Sequence, residues 1–342
     1  MRHGAWKFAF IVLIALSLVA CGSGNQTSSP ADSSSGQQET ATQPAESSST
    51  NPNNSKESEQ KPPAVQVDET KLQELAAQFG ETTPAKSITL SVSITELFDA
   101  LGLELVGVPT TKSELPAAYA QVQRVGSSHQ PDLEQIAKLT PNMVLAPASI
   151  KDSIDKMLKP ANLPAAYLPA DSLDELKLST AVLGRVYGKE DKAAEVLESF
   201  AKQENEIMET TKGKESPKVM ILFGSAESLM VMNENTFAGS IAHNLGAANV
   251  LSDVLKQSET YVPLNMESIV TANPDVILLV AHGDPAAVAQ KFEEDVKKNG
   301  AWEKLSAFKN GKLKTLDYNL FGIASLVKAP DAYKEMANIL YN

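Results

Sequence analysis

One unit occurs twice in this chain, and it constrains the fold more tightly than any other feature. Pro131-Asp132-Leu133-Glu134-Gln135-Ile136 leads to Pro141-Asn142-Met143-Val144-Leu145. At a constant offset of 133 residues, Leu264-Asn265-Met266-Glu267-Ser268-Ile269 leads to Pro274-Asp275-Val276-Ile277-Leu278. Each copy reads as a short helix, a proline break and a buried strand, with an acid in the first turn where the helix dipole favours it. A unit placed once in each half predicts two related lobes.

The surrounding pattern alternates apolar runs with amphipathic stretches. Strands are expected at Ser87–Leu90, Leu105–Val108, Val122–Val125, Met143–Leu145 and Ala166–Leu168. Ser93-Ile94-Thr95-Glu96 has the form of a capping box opening a helix over Leu97–Leu101, stopped at Gly102. Residues 172 to 211 read as almost wholly helical, broken near Gly188. The alternation then restarts with strands at Lys218–Phe223, Pro274–Val280 and Lys314–Leu316, and helices at Ala238–Asn244 and Ala286–Lys298. Strands alternating with helices imply parallel sheets. The expected fold is therefore α/β, two Rossmann-like lobes with parallel sheets, joined by a long connecting helix that acts as a stiff strut. The ligand cleft is expected between the lobes.

The N-terminus is of another kind. Arg2, His3 and Lys7 precede an apolar run from Phe8 to Ala20, too short for a comfortable membrane span and suited to a signal peptide. It ends Leu18-Val19-Ala20-Cys21-Gly22, which resembles the lipobox of bacterial lipoproteins. Cys21, the only cysteine, would then carry the lipid and hold the protein outside the cytoplasm at the cell membrane. Residues from 22 to about 66 are rich in Ser, Thr, Pro, Gln and Asn and too poor in large apolar residues to build a core. The expected division is a leader over 1–20, a lipidated cysteine and tether over 21–85, an N-terminal lobe over 86–171, a helical connector over 172–213 and a C-terminal lobe over 214–342. The leader carries no acid, so losing Arg2 and Lys7 takes the formal net charge from −12 to −14. Such a balance argues against nucleic acid as a partner.

The chain has four histidines, of which His3 lies in the leader. His243 reads as a solvated helix residue. His129 and His282 each follow a predicted strand, one per lobe, and ligands of open α/β sheets bind outside the carboxyl ends of strands. Two imidazoles on opposite faces of a flat macrocycle fill both axial positions of a heme iron. The plainer reading is two exposed loop histidines. No Gly-x-Ser-x-Gly elbow, phosphate loop or free cysteine nucleophile occurs, and a bis-ligated iron leaves no open position for substrate, so the chain reads as a binder and not as an enzyme.

The lipobox, the helical connector and the paired Glu–Pro–strand units together resemble the helical-backbone class of ABC-transporter substrate-binding proteins. Leu105-Val106-Gly107-Val108-Pro109-Thr110, Val125-Gly126 with Pro131, Pro217-Lys218-Val219, Gly246-Ala247-Ala248-Asn249-Val250, Asn273-Pro274-Asp275-Val276-Ile277-Leu278 and Ala281-His282-Gly283 are most similar to its heme-uptake lipoproteins of the iron-regulated surface determinant system. The resemblance implies an import system that delivers heme to a membrane permease, and a monomer that upstream cell-surface heme proteins could supply. A ferric siderophore or cobalamin is the alternative cargo. His282 matches the family's axial histidine. His129 stands where the family has methionine, which changes the implied coordination from His/Met to His/His. Glu134 and Glu267 stand where one glutamate per lobe docks on the permease. For the propionates, candidate donors are Ser93, Thr95, Thr110, Thr111 and Lys112, and Tyr261 is a candidate for the cleft wall, packing on the porphyrin. Met230, Met232 and Phe321 are further candidates to pack on the porphyrin.

Overall fold

Continuous runs of Val, Ile, Leu and Ala bounded by Gly, Pro and Asn form strands buried on both faces, the pattern of parallel sheets. The computed structural model describes residues 67–342 apart from 226, 227 and 283. The expected leader, Cys21 and the chain up to residue 66 lie outside the described residues. The first sheet holds β1 (Ser87–Thr89), β2 (Gly107–Val108), β3 (Gln123–Arg124), β4 (Met143–Pro147) and β5 (Ala165–Leu168). Its order is β3-β2-β1-β4-β5, all parallel. The order reverses at β1, which makes a topological switch point outside the strand ends. The edge strand β5 is closed by a side chain: the Gln78 amide donates to the Tyr167 carbonyl at 3.1 Å and accepts from its N–H at 2.9 Å. This occupies the edge at Tyr167, where an added strand would otherwise pair.

The second sheet holds β6 (Lys218–Gly224), β7 (Leu229–Met232), β8 (Ala248–Asn249), β9 (Tyr261–Pro263), β10 (Val276–Ala281) and β11 (Leu313–Thr315). β11, β10 and β6 run parallel, and β8 pairs in parallel with the start of β6. β7 and β9 pair antiparallel, so this sheet is mixed where the sequence suggested a parallel one. The reason is length. Only four residues separate β6 from β7, and a parallel return needs a crossover of about a dozen.

The duplicated unit is the same structure twice. The Leu133–Leu139 helix is capped by Asp132, whose carboxylate accepts from Gln135 N–H at 3.0 Å. The Met266–Ala272 helix is capped by Asn265, which accepts from Ser268 N–H at 3.1 Å. Both end on a left-handed residue, Thr140 (φ 49°) and Asn273 (φ 45°), before the proline and the strand.

Two helices lie between the sheets. Leu173–Val186 opens with a complete capping box, Ser172 with Glu175, and Glu190–Thr211 follows a break at Gly188, whose φ is +62°. The connector is thus two helices and not one. At 1.5 Å per residue the second runs about 33 Å. They are joined by the Lys177–Glu204 ion pair at 3.2 Å, both side chains largely buried. The Tyr333 hydroxyl, from the C-terminal helix Ala329–Tyr341, also hydrogen-bonds Glu204, and the Asn244 amide donates to that hydroxyl at 2.8 Å. One apolar core joins everything. It runs from Ile94, Leu145 and Leu168 through Leu176 and Phe200 to Ile221 and Leu278. Smaller clusters cover the outer face of each sheet.

Two expectations change. The Ser93–Glu96 capping box does not form, because the helix starts earlier, at Val92, and runs to Ala100 with Ser91 at its N-cap. Part of the stretch assigned to the tether is folded: Glu69–Ala76 is a helix capped by Asp68, and Leu72 and the following Phe79 are buried. It packs against Leu173–Val186, with Arg185 2.6 Å from Glu69.

Burial pushes the Tyr187 hydroxyl up to about 12, with only partial opposition from its hydrogen bond to Ser87. Burial also raises Tyr119, Tyr167 and Tyr333, helped by the nearby carboxylates Asp99, Asp155 and Glu204 respectively. Unfolded tyrosine ionises near pH ~10. The folded state therefore holds these protons longer than the unfolded one, and stability falls as pH rises through that window. In an alkaline titration, these four tyrosinate signals are expected to emerge together with unfolding; early, gradual ionisation of all seven tyrosines would contradict the burial.

Candidate functional site

The carboxyl ends of strands from both sheets, among them β4, β5, β6 and β10, face one cleft of about 430 Å³, within the usual range for ligand sites. His129 and His282 both line it, one from each sheet. His129 sits on a tight turn after β3. Ser127 and Gln130 exchange backbone hydrogen bonds across it at 3.1 and 3.2 Å, and Gly126 bridges to Pro131. The Ser128 hydroxyl donates to the Leu90 carbonyl at 2.6 Å, which ties the turn to the loop after β1. These bonds fix the backbone and leave the imidazole exposed.

His282 follows β10. Its N–H donates to the Gly224 carbonyl at 2.8 Å, extending the β6–β10 ladder by one bond. Its ring lies 5.2 Å from the Phe223 ring, tilted by 34°, and Phe223 meets Tyr261 edge-on at 5.6 Å. An aromatic wall therefore backs one imidazole. Asp284, the turn aspartate beyond it, caps the Pro285–Lys298 helix by accepting from Ala286 and Ala287.

The other expected residues divide. Ser93 lines the cleft, and its hydroxyl donates to the Ala324 carbonyl at 2.5 Å. Tyr261, Met232 and Phe321 also line it. Thr95 does not: it is fully buried and bonded to Thr89 and Ser91. Thr110, Thr111 and Lys112 are exposed and stand outside the lining. Thr110 instead supports the His129 turn, donating its N–H to the Gly126 carbonyl at 2.7 Å, while Thr111 accepts from Ser113 N–H at 3.0 Å. Met230 is half-buried in β7 and not part of the cleft. Glu134 and Glu267 stand outside the cleft lining, exposed in the first turns of the duplicated helices. His243 is exposed, as expected, and lines a separate cavity.

Several cleft residues were not anticipated. Asp171 follows β5, and Phe223 is next to last in β6; the strand-end rule that found the histidines points to both. Burial raises the Asp171 carboxyl above its ordinary value, opposed by a hydrogen bond from the Ser149 hydroxyl. Burial also raises Tyr261, followed by the charges of Asp171 and Glu175. The segment Gly322-Ile323-Ala324 crosses from the second half and lines the cleft beside the first. It is held by the Ser93–Ala324 bond and by Lys328, whose ammonium is 3.3 Å from the buried Glu96. Nothing local in the sequence marks that crossing.

The family model for periplasmic binding proteins matches residues 88–320. The chain belongs to the periplasmic binding protein family. It is 30% identical over 255 residues to the high-affinity heme uptake system protein IsdE of Staphylococcus aureus (strain Newman), covering 74% of this chain and 86% of that one. The crystal structure of S. aureus IsdE complexed with heme superposes with a TM-score of 0.71 at 30% identity, over 77% of this chain and all of that one. An ABC-transporter substrate-binding protein from Listeria monocytogenes EGD-e has a TM-score of 0.70 at 35% identity, over 75% of this chain and 98% of that one. Proteins of this family bind solutes for ABC transporters and are not enzymes, and the two-lobed α/β fold is theirs.

The His129 turn depends on Gly126. Its φ is +89°, and a Cβ there would stand 2.5 Å from the Asp132 nitrogen and the Gln130 oxygen, both backbone atoms. Gly126→Ala is expected to cost about 1–3 kcal/mol in urea unfolding. No loss would mean that the turn relaxes freely.

Proposed function

We propose that this chain binds heme in the cleft, with His129 and His282 as axial ligands, and delivers it to the permease of an ABC importer. The observation that carries the reading is the convergence of two imidazoles, one from each sheet, on a single cleft. Imidazole is an ordinary heme ligand, and a pair leaves the iron six-coordinate and low-spin. Apolar walls such as Ile150, Phe237, Val280 and Phe321 suit a flat macrocycle. The similarity to IsdE, whose structure holds heme, supports the same cargo.

Delivery follows from the repeat. Glu134 and Glu267 are equivalent acids on equivalent helices, so two like permease subunits could each meet one. Glu134 is free to do so, since its contact with Lys138 at 2.7 Å joins two exposed side chains and such pairs hold weakly. In this reading Cys21 carries a lipid that keeps the protein at the outer face of the cell membrane, and the monomer receives heme from upstream surface proteins.

Hemin added to the purified protein is expected to give a sharp low-spin spectrum. His129→Ala and His282→Ala should each lower affinity at least tenfold, which is about 1.4 kcal/mol, and the double variant should lose the low-spin form. An unchanged spectrum in the double variant sinks the ligand assignment. Absence of colour with hemin, together with binding of a ferric siderophore or cobalamin, would reassign the cargo.

A Glu134→Ala, Glu267→Ala variant should keep hemin binding and lose delivery to permease-containing vesicles. Undiminished delivery would remove the two glutamates from the docking role.

A further inference from the structure

The charged lining of the cleft has one sign. Its described residues include no lysine and no arginine, and a single carboxylate, Asp171. Two bonds hold Asp171 in place: its carboxylate accepts from the Ser149 hydroxyl at 3.1 Å, and its N–H donates to Glu175 at 2.7 Å. A second cavity of about 540 Å³ shares Asp171 and is also lined by Asp174, Glu175 and Glu234. The side of the cleft at Asp171 is thus backed by further carboxylates, with no lysine or arginine in either lining; Lys177, 3.5 Å from Asp174, offsets part of that charge from behind, while Asp171 itself has no cation beside it in the cleft. The effect reaches Tyr261 in the second sheet, whose ionisation Asp171 and Glu175 both oppose.

We propose that Asp171 is a specificity-determining residue, which rejects cargo that would bring carboxylates to this side of the cleft. Repulsion between like charges in a partly desolvated site is a common means of excluding a wrong partner. A ferric polycarboxylate chelate carries carboxylates on several sides, so few of its orientations keep them all away from Asp171. Heme carries its two carboxylates on one edge, so it can enter with that edge turned away. The proposal rests on the heme reading for the cargo that is accepted, and it adds the class that is refused and the residue that refuses it.

The test uses the full chain and ferric citrate, with affinity measured by titration calorimetry. Asp171→Asn removes the charge with nearly the same shape, and Asp171→Lys inverts it. Ferric citrate affinity is expected to rise about threefold in the first and at least tenfold in the second, with the gain shrinking as salt is raised. Glu303→Lys makes the same change of net charge at an exposed position outside the cleft and should leave ferric citrate affinity where it is. Affinity that stays at the wild-type level or undetectable in both Asp171 variants overturns the proposal, as does an equal gain in Glu303→Lys. Failure of the wild-type protein to give a low-spin hemin spectrum would instead count against the heme reading, and the ferric citrate comparison would still decide the role of Asp171.

Discussion

A single apolar core, continuous from the first sheet through the connector helices to the second, is what the rest of this structure hangs on. Each sheet needs a covered inner face, and here the same pair of helices contributes to covering both. Burial of this kind, at roughly 25 cal/mol per Å² of apolar surface, makes separation of the two halves costly. The Lys177–Glu204 pair and its bonds to Tyr333 and Asn244 add a polar constraint inside that core. Removing one partner would leave a buried charge unpaired, which costs more than the pair itself contributes. The cleft therefore forms between sheets whose mutual placement is set by packing, and its two histidines are brought together by the core and not by any bond between them.

Much of this was legible in the chain because it is local. The duplicated unit could be read because caps and proline breaks act over a few residues: Asp132 and Asn265 cap one turn away, and Thr140 and Asn273 stop the helices just before the prolines. The break at Gly188 and the strands β4, β6 and β10 were visible for the same reason. Strands β7 and β9 were not. They pair antiparallel, with no helix between β6 and β7, so the strand–helix alternation that marked the other strands gave no signal for them. The Ser93–Glu96 box failed because the helix starts at Val92, so Ser93 and Glu96 lie inside it, where they meet Ala324 and Lys328, more than two hundred residues away.

The cleft shows the same division. A rule about strand ends was enough to find His129 and His282, and it also reaches Asp171 and Phe223. It could not separate residues that face the cleft from those that merely share its edge. Thr110 follows β2 on the expected side, yet its backbone and hydroxyl are spent on Gly126. Which side chains point inward depends on how loops lean on one another, and that information is spread over pairs far apart in sequence.

The helix Glu69–Ala76 has a mechanical consequence. The chain before residue 67 joins the fold at this helix, which packs on the connector helix Leu173–Val186 and does not line the cleft. Tension on that chain would load the joint as shear between two helices, with Leu72 and Phe79 as its apolar anchors. The connector would take the pull along its length, and the core it shares with both sheets would spread that load over many contacts. Under the proposed anchoring at Cys21, a pull from the membrane would therefore meet the fold at its packed centre and not at a loop of the cleft.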